Sequence, residues 1–282
     1  MNGAEGAAGR LLVCPTPIGN LADVTLRVLE ALRSADAIAC EDTRHTRVLL
    51  ERHSVSTPLV SLHEHNERAR SAELLARIGA GETIALVSDA GTPVVSDPGF
   101  ALVRACLQAG VAVEVLPGPS AVTTALVASG LPAERWLFVG FLPRKRAELE
   151  RLFMRAEQTL VAFESPRRLA ATLAALAALD PRRPAAVCRE LTKLHEEVRR
   201  GDAAALAEHY AGAPARGEIV LVVGAGAGAR DASAREDALA ALRELVAAGA
   251  RPRPAASAVA KLSGVAANEL YRALTSEARG DR

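Results

Sequence analysis

The sequence predicts an α/β protein with two α/β domains and a small helical C-terminal segment. Half of the 282 residues are hydrophobic, which is enough for two compact cores. Short apolar runs alternate with helical patterns on both sides of Pro117-Gly118-Pro119, whereas about the last fifty residues show helical periodicity alone. The expected domains are therefore residues 10–117, 118–224 and 230–282.

The first domain is expected to contain a largely parallel sheet. Its five apolar runs, which we interpret as strands, are residues 11–13, 37–40, 58–62, 83–87 and 111–116. Helical patterns separate most of these runs, and helices of this length are typical crossovers between parallel strands.

A second α/β series is predicted after the Pro-Gly-Pro interruption. Its strands are expected at residues 136–139, 160–163, 186–188 and 219–223. Helical patterns lie between these runs, including one over residues 167–179.

Residues 224–229 fit the dinucleotide-binding pattern G-x-G-x-x-A. No second strand ending in an acidic residue is predicted after them, so we interpret them as a linker and disfavour a nicotinamide-dependent oxidoreductase. Helices at 256–262 and 266–274, joined at Ser263-Gly264, then outline a small helix-turn-helix. This tail is either a packing and assembly element or a nucleic-acid contact.

Composition excludes several classes of protein. A chain that is 50% hydrophobic and 24% charged is not disordered, and no apolar run approaches the ~18 residues of a membrane-spanning helix. Residues 1–10 lack a signal-peptide pattern, so a cytoplasmic protein without a membrane partner is expected. The four cysteines form no CxxC pair and are expected to be buried free thiols.

Positive charge is concentrated in the middle of the chain. The formal net charge is +1, but residues 141–200 contain 13 Arg and Lys against 8 Asp and Glu. This local excess indicates an anionic partner that binds in a directed way, rather than general electrostatic attraction to anions. The eight aromatic residues are too few for a platform that stacks on the bases of free single strands.

Three loops rich in glycine and proline follow predicted strands, at residues 15–20, 88–99 and 117–121. Ligands bind beyond the carboxyl ends of the strands in open α/β sheets. Glycine permits close backbone approach, and proline fixes the loop shape. The loops therefore predict a ligand cleft, in which Asp89 and Asp97 could hold ribose hydroxyls or a cationic group.

Two polar clusters follow other strands of the first domain. Residues 41–45 either cap a helix, through Asp42 or Thr43, or contribute polar groups to the cleft. Residues 63–67 contain a His-x-His pair without a third ligand nearby, so no metal site is expected. They form either a polar wall of the site or a solvated loop.

Three mixed-charge clusters follow strands of the second domain, at residues 143–146, 164–168 and 189–197. Surface salt bridges would explain any one of them. Their recurrence favours an electropositive rim on the same cleft, where arginine could bind phosphates. The sequence contains no G-x-S-x-G elbow and no G-x-x-x-x-G-K-[ST] loop, which disfavours covalent nucleophilic catalysis and excludes P-loop chemistry.

The ordered set of motifs resembles the tetrapyrrole-methylase superfamily, and within it the 16S rRNA (cytidine-2′-O)-methyltransferases of the small ribosomal subunit. The resemblance extends over about residues 11–223. The strings that carry it are TPIGNLAD (16–23), CEDTRHT (40–46), SLHEHNE (61–67), SDAGTP (88–93), SDPG (96–99), LPGPSA (116–121), GFLPRK (140–145), FESPRR (163–168) and RELTK (189–193).

The resemblance implies two α/β domains with S-adenosylmethionine bound in the cleft between them, and a homodimer. The residues that it assigns to the cofactor side are Pro17, Gly19, Asp89, Gly91, Thr92, Pro93, Ser120 and Ala121. Porphyrin-modifying relatives have a more glycine-rich first loop and often Gly-Asp-Pro in the second. These departures disfavour a tetrapyrrole substrate.

The implied reaction is methyl transfer to a ribose 2′-hydroxyl of 16S rRNA. This hydroxyl is a weak acid, so a base or a stabilising cation is expected nearby. The candidates are Glu41, Asp42, Glu190 and Lys193, with Arg44 placing a phosphate or ribose. Docking onto the assembled small subunit is expected to use shape and phosphate contacts.

Two alternatives remain open. A methyltransferase of the same fold could act on a tetrapyrrole or a protein side chain, and it would not need the basic middle segment. A ribosome-binding factor could instead retain the cleft without turnover, and its RNA binding would then be independent of the methyl donor.

Overall fold

The structure, a computed structural model, describes residues 8–280, apart from the side chains of residues 227–233 and 276–280. Residues 1–7, on which most of the expectation about the N-terminus rests, lie outside the described range. All four cysteines are buried and free, as predicted. Among the described helices, none is both long and apolar enough to cross a membrane.

The first sheet is entirely parallel, which confirms the predicted arrangement. Its strands, in spatial order, are β3 (Leu59–Ser61), β2 (Ala37–Cys40), β4 (Thr83–Leu86), β1 (Arg10–Val13) and β5 (Ala112–Val115). The main helices between them are α1 (Leu26–Ser34), α2 (Thr43–Arg52), α3 (Glu67–Gly79) and α4 (Phe100–Gln108).

Helices cover both faces of this sheet. Leu12 belongs to one apolar cluster with Val28 of α1, whereas the preceding Leu11 belongs to another with Leu74 of α3 and Leu102 of α4. Successive side chains of a strand point to opposite faces, so a strand buried on both sides is apolar without alternation. This explains why short apolar runs predict the strands correctly.

The second sheet is mixed. Its strands, in spatial order, are β6 (Trp136–Phe141), β7 (Thr159–Glu164), β10 (Ile219–Val223), β8 (Pro184–Arg189) and β9 (Glu197–Asp202). The β6–β7 pair is parallel, and the other three pairs are antiparallel. The helices of this half are α5 (Ala121–Ser129), α6 (Arg146–Arg155), α7 (Leu169–Leu179) and α8 (Ala203–Gly212).

Strand β9 is absent from the sequence prediction because charged residues occupy most of it. It pairs with β8 at the edge of the sheet, and Arg199 and Arg200 on it are exposed. Charged side chains on an edge strand discourage pairing with another molecule. A strand in this position therefore needs no apolar alternation.

Three helices follow the second sheet: α9 (Ala227–Ala247), α10 (Pro252–Ser263) and α11 (Ala267–Gly280). The interpretation of residues 224–229 as a linker is wrong in its second half, since α9 already begins at Ala227. Three small residues are enough to connect β10 to this helix. A separate apolar cluster, which includes Leu242, Val259 and Leu270, joins the three helices to one another.

Candidate functional site

The three glycine- and proline-rich loops meet above one edge of the first sheet. They follow β1, β4 and β5, which lie side by side. Thr16 and Gly91 exchange two backbone hydrogen bonds of 2.8 and 3.0 Å, and the Thr92 hydroxyl donates to the carbonyl of Pro119 at 3.3 Å. Each loop is therefore tied to its neighbour, which shapes the cleft in advance of a ligand.

A cavity of about 420 Å³ lies between these loops and the second sheet. Its volume falls in the range of about 300–1,000 Å³ that is typical of small-molecule sites. Four of the predicted cofactor-side residues line it, namely Gly91, Thr92, Ser120 and Ala121. The other four belong to the same loops but lie outside its lining, namely Pro17, Gly19, Asp89 and Pro93.

The far wall of the cavity includes apolar strand residues to which the sequence assigned no role in the site. Phe163, Cys188 and Val220 belong to β7, β8 and β10 and line the cavity. An apolar residue in a strand carries no sequence signal that separates a cavity wall from ordinary core. Only the approach of the first-domain loops to the second sheet gives these residues their position in the site.

The first loop contacts the second half of the chain directly. The backbone N–H of Asn20 donates to the Thr192 hydroxyl at 3.0 Å. A Cβ atom on Gly19 would lie 2.4 Å from Cγ of Lys193 and 2.8 Å from Oγ1 of Thr192. This close approach requires glycine at position 19.

Glu190 and Lys193 form a charged network beside this contact. Lys193 Nζ donates to Glu190 at 3.1 Å and to Glu218 at 2.9 Å. The backbone N–H of Glu218, and then Lys193, hold the pKa of Glu190 below its usual value, although burial opposes them. Burial would lower the pKa of Lys193, but its two carboxylate partners outweigh that effect and raise it. Both groups are therefore charged near neutral pH.

Asp42 caps helix α2, which was the simpler of its two predicted roles. Its carboxylate accepts from the backbone N–H of Arg44 at 2.8 Å and from the Arg44 guanidinium at 2.7 and 3.1 Å. These bonds hold the pKa of Asp42 well below its usual range. The Arg44 side chain itself is largely exposed.

Glu41, Asp89 and Asp97 form an acidic group beside the cavity. Burial first, and then the charges of Glu41 and Asp89, raise the pKa of Asp97 to about 6. Burial and the charge of Asp89 likewise raise the pKa of Glu41, with an opposing effect from His63. Among the side chains that the structure describes, no set of three or more His, Cys, Asp and Glu residues is arranged to hold a metal ion.

The predicted polar cluster at residues 63–67 supports the second loop. Glu67 accepts hydrogen bonds from the backbone N–H groups of Gly99 at 2.8 Å and Ala101 at 2.9 Å. Asn66 accepts from the backbone N–H of His63 at 2.9 Å. The cluster thus fixes the end of loop 88–99, where α4 begins.

In the FESPRR segment, Glu164 is buried, whereas Arg167 is exposed. Glu164 lines the cavity and accepts from the Thr172 hydroxyl at 2.5 Å and from Arg168 at 3.1 Å. Arg168 also donates to two backbone carbonyls, so it supports the cavity wall. Arg167 is exposed and lines a neighbouring cavity together with Arg216.

Known proteins similar to this chain include bacterial rRNA methyltransferases. Residues 10–207 match the model of the family described as Tetrapyrrole (Corrin/Porphyrin) Methylases. The ribosomal RNA small subunit methyltransferase I of Mesorhizobium japonicum is 48% identical over 272 residues, which cover 94% of this chain and 90% of that protein. The protein of the same name from Mycobacterium bovis is 49% identical over 97% of each chain.

Solved structures share the fold. Uroporphyrin-III-C-methyltransferase from Thermus thermophilus has a TM-score of 0.54 at 25% identity, over 77% of this chain and 94% of that one. Diphthine synthase has a TM-score of 0.58 at 18% identity, over 76% of this chain and 89% of that one. Together with the two sheets and the cleft between them, these matches show that the chain belongs to the tetrapyrrole methylase family.

Proposed function

We propose that this chain transfers a methyl group from S-adenosylmethionine to the 2′-hydroxyl of a cytidine ribose in 16S rRNA of the small ribosomal subunit, in the cytoplasm. The observation that carries the proposal is its 48–49% identity, over nearly the whole chain, to proteins named ribosomal RNA small subunit methyltransferase I. The motif set of residues 16–193 supports the ribose 2′-oxygen as the acceptor atom.

The cavity suits S-adenosylmethionine in size and chemistry. Ile18, Val122 and Val220 offer an apolar surface to an adenosine group, and the carboxylate of Glu218 suits a ligand with sulfonium and ammonium charges. We assign to the cofactor side Pro17, Gly19, Asp89, Gly91, Thr92, Pro93, Ser120 and Ala121.

The protein contributes positioning and electrostatics to the reaction. When bound, the cofactor supplies an electrophilic methyl group on a positively charged sulfur. The tied loops on one side and the second sheet on the other can hold the ribose hydroxyl in line with that methyl group. Well-oriented reactants reach effective molarities of about 10⁵–10⁸ M, so positioning alone supplies a large part of the rate.

The predicted catalytic residues comprise two cations, two acids that are ion-paired with them, and Glu41. Lys193 is bonded to Glu218 of the cavity wall and is suited to stabilise negative charge on the ribose oxygen. Arg44 is exposed and suited to a phosphate. Asp42 and Glu190 orient these two cations, while Glu41 adds negative charge beside the cavity.

The basic middle segment supports RNA as the substrate. Arg167 of this segment and Arg216, which lies beyond it in the sequence, line a second cavity of about 490 Å³, which shares Pro166 and Gly217 with the first. Among the described residues, no acidic side chain lines this second cavity. A strand whose ribose enters the first cavity can therefore place a flanking phosphate between the two arginines.

The proposal includes a homodimer, as the family resemblance implies. Several apolar side chains of the described residues are strongly exposed, among them Val127 at 80% and Phe141 at 65%. Sedimentation of the full chain at micromolar concentration tests this part, and a monomer would contradict it.

A tetrapyrrole acceptor is the second candidate, because the chain is 25% identical to a uroporphyrin-III-C-methyltransferase of the same fold. The higher identity, 48–49% over nearly the whole chain, to proteins named ribosomal RNA small subunit methyltransferase I favours RNA over this candidate.

The decisive experiment uses tritiated S-adenosylmethionine with small ribosomal subunits that lack their own modifications, and free rRNA beside them. Nuclease digestion then identifies the labelled nucleoside. We expect label in 2′-O-methylcytidine. Donor binding without label in RNA would favour a tetrapyrrole or protein acceptor, whereas donor-independent RNA binding without transfer would favour a ribosome-binding factor.

A further inference from the structure

The main cavity contains one carboxylate that has no partner among the residues that the structure describes. Three carboxylates line it in the described part of the chain: Asp97, Glu164 and Glu218. Glu164 is paired with Arg168, and Glu218 with Lys193. Asp97 has neither a hydrogen bond nor an ion pair with any described residue, so its oxygens are available to a ligand.

The second loop holds Asp97 in place. Ser96 beside it has φ +66° and Val94 has φ +76°, a left-handed conformation that is strained for a β-branched residue. Glu67 fastens the end of the loop by accepting from the backbone N–H of Gly99. Strain of this kind persists where the surrounding structure imposes it, and it is concentrated at active sites.

The surroundings of Asp97 favour its proton-accepting role. Glu41 after β2 and Asp89 after β4 face it from the first domain, and with burial they raise its pKa to about 6. On the opposite wall, Glu164 and Glu218 are each paired with a cation. A carboxylate with a raised pKa accepts a proton more readily than an ordinary one, and it is still mostly ionised above pH 7.

We propose that Asp97 is the general base that accepts the proton of the ribose 2′-hydroxyl, an inference that rests on the proposed function. A lone pair of the 2′-oxygen forms the bond to the methyl carbon. The electron pair of the broken carbon–sulfur bond stays on sulfur, which becomes a neutral thioether, and the hydroxyl proton moves to a carboxylate oxygen of Asp97. Glu41 acts through Asp97 as a positioning residue.

The test compares the wild type with Asp97→Asn and with Glu134→Gln, an exposed carboxylate that does not line the cavity. Donor affinity is measured by calorimetry, and methyl transfer to small subunits is measured in single turnovers. We expect Asp97→Asn to lower the transfer rate by about 10²–10⁴-fold, the usual contribution of a general base, with donor affinity nearly unchanged. Glu134→Gln should match the wild type in both measurements.

A pH profile of the reaction distinguishes a general base from a residue with only a structural role. If Asp97 were only structural, its substitution would leave the shape of the profile unchanged. In the wild type, kcat/KM should fall as acid protonates Asp97 near pH 6, and the residual activity of Asp97→Asn should lack this dependence. Glu41→Gln removes one neighbouring charge and should move the acid limb to lower pH.

Two results would overturn the assignment of Asp97 as the general base while leaving the proposed function intact. One is an active wild type with an equally active Asp97→Asn variant. The other is a loss of donor affinity that accounts for the whole loss of rate, which would make Asp97 a ligand of the donor's cationic group. A wild type that transfers no label to RNA would instead overturn the proposed function, and this inference with it.

Discussion

At the scale of single residues, the cleft depends on a backbone approach that only glycine allows. Gly19 touches the 191–193 segment so closely that any side chain must displace Lys193 or Thr192. The same contact joins the first loop to the charged network of Glu190, Lys193 and Glu218. One position thus controls both the shape of the cleft and the placement of a proposed catalytic cation.

We expect Gly19→Ala to lower stability by about 1–3 kcal/mol, the usual cost of overpacking, and to weaken S-adenosylmethionine binding. Urea denaturation and calorimetry measure the two effects. Gly79→Ala is the matched control, because a Cβ atom at Gly79 meets nothing within 4 Å. If Gly19→Ala bound S-adenosylmethionine as tightly as the wild type, the 191–193 segment would have moved to accommodate the added methyl group.

The raised pKa of Asp97 also predicts a pH dependence of stability in the ligand-free protein. The pKa is about 6 in the folded protein against 3.8 for an ordinary Asp, so the folded state binds this proton more tightly. The resulting stabilisation is present below about pH 3.8 and is lost as pH rises through 6. The Tm of Asp97→Asn relative to that of the wild type should therefore increase when the pH is raised from 4.5 to 7.5.

Thermal melts at these two pH values check this prediction without substrate or cofactor. Glu134→Gln again serves as the control and should follow the wild type at both. A constant difference in Tm between Asp97→Asn and the wild type would mean that Asp97 titrates normally.

At the scale of elements, helix α4 donates its N-terminal hydrogen bonds to a side chain of another helix. The glycine at its start has no side chain to cap it, and Glu67 of α3 accepts from Gly99 and Ala101 instead. A carboxylate at a helix N-terminus also interacts favourably with the helix dipole. Since Gly99 ends the loop that contains Asp97, this cap links helix packing to the site.

We expect Glu67→Ala to cost about 1–2 kcal/mol, as for the loss of a helix cap, and to weaken donor binding through the released loop. Glu73→Ala on the same helix removes an exposed ion pair with Arg70 and should cost less than about 0.5 kcal/mol. Urea denaturation of both variants gives the comparison. Equal losses would contradict a specific capping role.

At the scale of the whole molecule, the loops of the first domain and the second sheet form opposite walls of the cavity, and Arg167 and Arg216 lie in connecting segments of the second domain beside it. The apolar interface between them contains Ile18 of the first loop, Val122 of α5 and Val220 of β10. The loops that we propose for the cofactor and the two arginines that we propose for RNA thus lie in different halves of the chain. Changes at the arginines should affect RNA affinity while leaving donor binding intact.

We expect the double variant Arg167→Ala/Arg216→Ala to raise KM for small subunits with little change in kcat. The slope of log affinity against log salt should become shallower by about 1.4–1.8, the effect of two lost phosphate contacts. Arg155→Ala removes an exposed charge from the same basic segment without lining either cavity, and should change the slope little. An unchanged slope in the double variant would place the RNA elsewhere.

The sequence by itself determined the first sheet and the location of the three loops. Strands buried on both faces are apolar throughout, and loops at the ends of parallel strands need glycine and proline, so both leave local signals. The motif strings also identified the family. The edge strand β9 and the start of α9 left no such signal, because charge and small residues fit a loop equally well.

Only the tertiary structure decided which residues of the second half face the cleft and which acids are free. Phe163, Cys188 and Val220 are indistinguishable from core in the sequence and become a cavity wall through contact with the first domain. Asp42 and Glu190 are held by cations, whereas Asp97 lies beside other acids and has no partner among the described residues. Partners distant in sequence set these differences, since the pKa and availability of a carboxylate depend on burial and on neighbouring charges.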